Sequence, residues 1–214
     1  MTDTHSANIM TANIQTTSIS TSNRQELRTQ IRQWRRSLTP RQQREAACAW
    51  ARQLLQLPEF ISSRHIAFYW PQDGELNPFT LLETPLGQTK QFYLPVLHPW
   101  QSGRLCFTPY QMNMPCIPNR FGIPEPVNGF QHSAPTWCLD LVLTPLVGFD
   151  EQGSRLGMGG GFYDRTFSFL RRGFSKTKLI GVAYEEQKLD QLITHPWDIP
   201  LQAIVTNKKI YKCS

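Results

Sequence analysis

The sequence has few cysteines, and they are spread in a way that suits no shared chemistry. All five stand apart, at 48, 106, 116, 138 and 213, with no CxxC pair among them. Odd-numbered, scattered thiols exclude a zinc ribbon and a disulfide framework, and they fit a reducing, cytoplasmic compartment. Long hydrophobic runs are also missing. No apolar stretch approaches the roughly 20 residues that a spanning helix needs, so neither a membrane span nor a membrane partner is expected. His65, His98, His132 and His195 lie too far apart to suggest a metal site. Residues 1–22 contain no lysine or arginine and no apolar leader core, which excludes a secretory signal. Rich in Ser, Thr and Asn, they read as a disordered tail, with Met10 as an alternative start. Residues 23–214 then form one domain.

Periodicity supplies the rest of the architecture. In residues 23–38, Leu27, Ile31, Trp34 and Leu38 trace one stripe of an amphipathic helix. Thr39, Pro40 and Gln42 read as an N-cap, a first-turn proline and a capping-box partner for a second helix ending near Leu57. Ala47, Trp50 and Leu54 should face its core. The runs 65–70, 91–97, 139–147, 178–184 and 201–207 are short, apolar and rich in β-branched or aromatic residues. They predict buried strands covered on both faces. Helices are expected after Asn77 and from Phe162, and proline-dense residues 98–138 should form an irregular excursion. The fold class is α/β: an open, mostly parallel sheet flanked by helices, with an N-terminal helical pair.

One stretch breaks the economy of the rest. GSRLGMGGGFYDR, residues 153–165, holds five glycines soon after one of the most apolar runs, 139–147. Strand, glycine loop and helix together present bare N–H groups to an anion, because glycine removes the Cβ that would keep phosphate oxygens away. It is neither a dinucleotide fingerprint, whose third glycine would fall on Phe162, nor a Walker A loop, since no GK[ST] follows. A tight structural turn is the plain alternative. Arg155 could add a planar donor and Asp164 a magnesium ligand. Glu75 emerges at the C-terminal edge of the strand ending in Trp70, where open α/β sheets bind ligands. Its carboxylate could accept two hydrogen bonds from an N–C–NH₂ edge such as a pterin's, with Trp70 as an aromatic wall. A first-turn helix acid is the simpler account of Glu75. The net charge of +6 and the series Arg24, Arg28, Arg32, Arg35 allow a solvated face, an RNA-binding helix or a contact with a nucleotide's phosphates.

LVLTPLVGFDEQGSRLGMGGGFYDR at 141–165 resembles the signature of the 5-formyltetrahydrofolate cyclo-ligase, or methenyltetrahydrofolate synthetase, family. RQELR at 24–28, FYWPQDGELN at 68–77, FGIPEP at 121–126 and WDIPLQAIVT at 197–206 match it in the same order. The resemblance implies a Rossmann-like fold and ATP- and Mg²⁺-dependent conversion of 5-formyltetrahydrofolate to 5,10-methenyltetrahydrofolate, with ADP and phosphate released. Phosphorylation of the formyl oxygen and attack by N10 would carry the reaction. ATP would contact Arg24, Gln25, Glu26, Leu27 and Arg28, and then Arg155, Leu156, Gly157, Met158, Gly159, Gly160, Gly161, Phe162 and Tyr163. Folate, with or without a polyglutamate tail, would meet Trp70, Glu75 and the segment Met158 to Phe162. Asp164 and Asp198 would hold Mg²⁺, and Arg155 and Tyr163 would be catalytic. The chain departs from the family pattern at Arg24, where lysine is usual, at Gly160, where some members carry lysine, and at Phe162, where tyrosine is common. The implied protein is a cytoplasmic monomer with no nucleic-acid partner. Its rivals are an RNA-binding module using the arginine helix and a phosphosugar isomerase or CoA-transferase-like enzyme.

Overall fold

A computed structural model describes residues 21–173, 175–193 and 195–213. Most of the expected tail, including Met10, lies outside these residues. The first helix, α1 (Thr21–Ser37), already includes Thr21 and Ser22. Helix α2 (Pro40–Leu54) starts at the Thr39 cap, with Gln42 closing the capping box, and it buries Ala47, Trp50 and Leu54 as expected. It stops three residues short of Leu57. Pro58, directly after the expected helix end, opens the short α3 (Pro58–Ser62), because proline suits a first helical turn.

Seven strands form the main sheet in the order β11-β10-β9-β6-β1-β2-β3. They are β1 (His65–Ala67), β2 (Gln91–Leu97), β3 (Leu105–Pro109), β6 (Leu141–Pro145), β9 (Lys178–Val182), β10 (Ala203–Val205) and β11 (Ile210–Lys212). The inner pairings β2–β1, β1–β6, β6–β9 and β9–β10 are parallel, and the two edge strands run antiparallel. Alternation within the strands explains their nearly unbroken apolarity. Leu141, Leu143, Ile180 and Val182 pack with Trp50, Leu54 and Phe60 on one face. Val142, Leu179 and Ile204 pack with Phe149 and Phe167 on the other.

Two expectations are corrected by tertiary context. The segment 98–138 is not wholly irregular, because β3 lies along β2 from Leu97↔Leu105 to Tyr93↔Pro109. It also carries the small hairpin β4 (Cys116–Pro118) and β5 (Pro124–Pro126). Proline is tolerated there because these are edge strands. The helix expected from Phe162 is only five residues long, α4 (Phe162–Thr166), and a 3₁₀ segment, Ser168–Arg172, follows it.

The topology itself points to a site. From β1 the chain crosses to β2 on one side; from β6 it crosses to β9 on the other. The C-terminal ends of β1 and β6 therefore flank the switch point of the sheet, where open α/β folds leave a crevice. The loop after β1 carries Trp70 and Glu75, and the chain after β6 carries the glycines.

Candidate active site

The turn after β1 is built against helix α1. Asp73 and Gly74 both have positive φ, +49° and +71°. A Cβ at Gly74 would lie 2.5 Å from the backbone oxygen of Arg35, so only glycine lets the turn approach the helix this closely. Arg32 Nε donates to Asp73 Oδ2 at 2.8 Å, and Arg36 Nε donates to Asp73 Oδ1 at 2.9 Å. Burial raises the Asp73 carboxyl, but bonds from Arg36 and Arg32 outweigh that effect and leave it below its ordinary value. The Tyr184 hydroxyl donates to the carbonyl of Gly74 at 3.0 Å.

Glu75 leaves this turn with its side chain only 10% exposed. Its Oε2 accepts from the Gln72 N–H at 3.0 Å. Arg35 Nη1 stands 3.6 Å from Oε1, close enough for an ion pair and too far for a hydrogen bond. Burial pushes the carboxyl up to about 7, with Asp73 adding to the rise, while Arg35, the Gln72 amide and Arg32 restrain it. Trp70 is half-buried, edge-on to Phe79 at 4.9 Å between centroids.

Across the crevice, the chain after β6 makes a two-stranded hairpin of β7 (Gly148–Phe149) and β8 (Arg155–Leu156). Buried Asp150 holds its turn: Oδ1 accepts from the Ser154 N–H at 2.8 Å, and Oδ2 from the Leu192 N–H at 2.9 Å. The glycines follow β8. Gly159 has φ +91°, and Gly161 has φ +59° at the start of α4. Arg28 Nε donates to the carbonyl of Gly157 at 2.8 Å, and the Gly159 Cβ position faces the same guanidinium at 3.6 Å. Arg165 donates to the carbonyls of Gly160 and Gly103, and its guanidinium lies over the Phe162 ring.

The residues expected to hold ATP differ in what they can offer a ligand. Leu27 and Leu156 are buried together in one apolar cluster, so they can offer a ligand only main chain. Gln25, Glu26, Met158, Gly159 and Gly160 are exposed. Arg24 and Arg28 flank the loop from α1, and Arg24 Nη1 lies 2.6 Å from His195 Nε2. Arg155 is turned inward: its guanidinium binds the carbonyl of Ile199 and Oδ1 of Asp164. Tyr163 lies close enough to Glu75 that this carboxylate, after burial, helps push its phenol up.

Asp164 and Asp198 fit a magnesium shared with a polyphosphate. Oδ1 of Asp164 is fixed by Arg155 and by the Ile199 N–H at 3.1 Å, and Oδ2 of Asp198 by the His195 N–H at 2.9 Å. Among the described residues, the second oxygen of each carboxylate has no protein hydrogen bond. No group of three or more acidic, His or Cys side chains there could hold a metal alone. A hard cation taking only one or two carboxylates and completing its shell with phosphate oxygens and water matches that donor set.

Arg32, Arg35 and Arg36 were missed as parts of the site, although one signal was present. Arg35 stands four residues after Ile31, on the buried stripe itself, and a buried arginine needs an anion. The acidic turn Asp73–Glu75 supplies it. Two clefts of about 320 and 260 Å³, beside Arg104 and beside Tyr110, contain none of these residues.

The profile of the 5-formyltetrahydrofolate cyclo-ligase family matches residues 20–207. The chain is 41% identical over 182 residues to the 5-formyltetrahydrofolate cyclo-ligase of Escherichia coli strain K12, covering 85% of this chain and 99% of that one. It is 42% identical over 184 residues to the Haemophilus influenzae protein of the same name, covering 86% and 97%. The fold is similar to the NMR structure of Aquifex aeolicus 5,10-methenyltetrahydrofolate synthetase, with TM-score 0.71 and 31% identity over 88% of this chain and 92% of that one. With the family profile matched over most of the chain and a relative 41% identical over 99% of its own length, the chain belongs to the 5-formyltetrahydrofolate cyclo-ligase family.

Proposed function

We propose that this protein closes 5-formyltetrahydrofolate to 5,10-methenyltetrahydrofolate, consuming ATP with Mg²⁺ and releasing ADP and phosphate. The observation that carries the reading is the meeting of the Glu75 turn and the glycine loop at the switch point of the sheet, both docked on α1. The family relatives bear the corresponding name.

An N-formyl group resembles an amide, with a poor electrophilic carbon and an oxygen that leaves badly. Attack of that oxygen on the γ-phosphorus of ATP expels ADP and yields an iminium phosphate. N10 then adds to the former formyl carbon and loses its proton, and phosphate departs as the five-membered ring closes. No protein nucleophile is required. Positioning and charge neutralisation dominate phosphoryl transfer, and the residues present suit both tasks. The ionised Glu75 accepts the pterin's N–C–NH₂ edge, and Trp70 borders the ring. Arg24, Arg28 and the loop N–H groups hold the triphosphate; α4, at five residues, is too short to contribute a substantial helix dipole. Arg155 acts by fixing Asp164, and Asp164 and Asp198 would hold Mg²⁺, which supplies charge neutralisation to the phosphates when bound. Burial keeps the Tyr163 phenol protonated at neutral pH, so it serves as a donor and not as a base. We place the reaction in the cytoplasm, in keeping with five free cysteines, and take the active species as a monomer that accepts folate with or without added glutamates.

The arginine series gives little support to an RNA surface, since Arg32 and Arg36 grip Asp73 and Arg35 is buried beside Glu75. A phosphosugar isomerase or CoA-transferase reading rests on fold likeness alone. The test is direct. Protein mixed with 5-formyltetrahydrofolate, ATP and Mg²⁺ should develop methenyltetrahydrofolate absorbance and one ADP per product. ADP without product, or product without ATP, refutes the proposal.

A further inference from the structure

We infer that Arg35 is a positioning residue for the folate half of the site: its buried guanidinium presents Glu75 to the substrate as an anion. The inference rests on the reading of Glu75 as the folate carboxylate. Arg35 is 1% exposed, and among the described residues Nη1 is its only guanidinium nitrogen with a hydrogen bond, a long one of 3.4 Å to the carbonyl of Leu146. Among the described residues, its Nε and Nη2 are buried without any partner. An arginine serving the fold alone would have those donors satisfied, because buried polar groups left unpaired destabilise the native state. What Arg35 does have is a charge 3.6 Å from Glu75.

The other groups facing Glu75 show why that charge is needed. Tyr69 and Tyr184 bring hydroxyls already directed at the carbonyls of Leu76 and Gly74. Tyr163, from α4, adds a phenol, and Asp73 adds a like charge from the same turn. Arg32 is drawn off to Asp73 at 2.8 Å. Burial among these groups favours the neutral acid, and a neutral acid cannot accept two parallel N–H bonds from a pterin. Arg35 is the cation placed to oppose that tendency, just as Arg32 and Arg36 fix the turn from which Glu75 projects.

The experiment follows the pH dependence of KM for each substrate in the parent, Arg35→Met, Arg35→Lys and Glu75→Gln. In the parent, KM for folate should rise as the pH falls through neutrality. In Arg35→Met that rise should begin at least one pH unit higher, giving about a tenfold larger folate KM at neutral pH, with KM for ATP unchanged. Arg35→Lys should restore most of the parent profile. A folate profile in Arg35→Met that coincides with the parent's, or equal losses toward both substrates, overturns the inference. If Arg35→Met does not fold, the double variant Arg35→Met/Glu75→Gln decides. It should fold, because no buried charge is then left alone, and it should bind folate like Glu75→Gln; failure of that variant to fold shows Arg35 serving stability only and overturns the inference. If Glu75→Gln itself leaves folate KM unchanged, the carboxylate reading fails before Arg35 is at issue.

Discussion

Replacing Glu75 by glutamine should make the protein a poorer enzyme and a more stable one, and the gain in stability should depend on pH. Burial lifts this carboxyl from its ordinary 4.5 to about 7. The folded chain therefore keeps the proton at pH values where the unfolded chain has lost it. The carboxyl's contribution to stability is full below about pH 4.5 and is lost as pH rises through about 7. At about 1.4 kcal/mol per pH unit, that gap amounts to about 3 kcal/mol. Glutamine has no proton to lose, so the variant avoids the decline. At acid pH both chains carry an uncharged side chain and should unfold at nearly the same temperature. By about pH 8 the variant should melt about 6–12 °C higher than the parent, given the sensitivity of a chain this long. At about pH 8, where the parent's carboxylate is ionised, the variant's folate KM should be about ten to a hundred times the parent's, from the loss of charge-assisted hydrogen bonds, and the gap should close as pH falls below about 7. Thermal melts of both proteins across this pH range, followed by circular dichroism, provide the check. A difference in melting temperature that stays flat with pH would show that Glu75 is not a strained buried acid and refute the reasoning.

Three further outcomes are expected. Asp164→Asn should lower kcat/KM for ATP by about tenfold or more and raise the Mg²⁺ requirement, with folate KM unchanged in steady-state assays. Gly161→Ala forces a Cβ into left-handed backbone at φ +59° and should cost about 1–2 kcal/mol in a denaturant melt. Asp73→Asn removes the carboxylate that Arg32 and Arg36 grip. Because that carboxyl lies below its ordinary value, the clamp adds stability above about pH 4 and loses it as pH falls through the lowered value. The parent, and not the variant, should therefore lose about 1 kcal/mol on acidification, as read by melts at low ionic strength.

The parts of the fold that could be read in advance are those where local chemistry and burial point the same way. The Thr39 cap was visible in its Thr-Pro-x-Gln box, the inward stripe of α2 in its helical spacing, and the parallel strands in short, unbroken apolar runs. Strand β3 was hidden, since its partner lies a loop away along β2 and its own residues, LCFTP, carry no clear alternation. The run beyond Phe162 reads as one helix by pattern, yet Phe167 adopts φ −97°, ψ 16° and breaks it to fill the core beside Phe107. In the site, the glycine loop and Glu75 stood out by composition and by position after strands. The inward turn of Arg155 and the clamp on Asp73 did not, because both depend on residues brought together only by folding. Arg155 reaches Ile199, and Arg32 reaches across 41 positions to Asp73.

The glycines are stitched in place from both sides, by Arg28 of α1 at the carbonyl of Gly157 and by Arg165, the last residue of their own stretch, at that of Gly160. Flexible residues have thus been made to stand still, and the triphosphate we propose for this loop would find a cradle whose shape is already set. Little chain freedom remains to be surrendered on capture, so docking should proceed at the pace of diffusion and collision, without a pause for the cradle to take form.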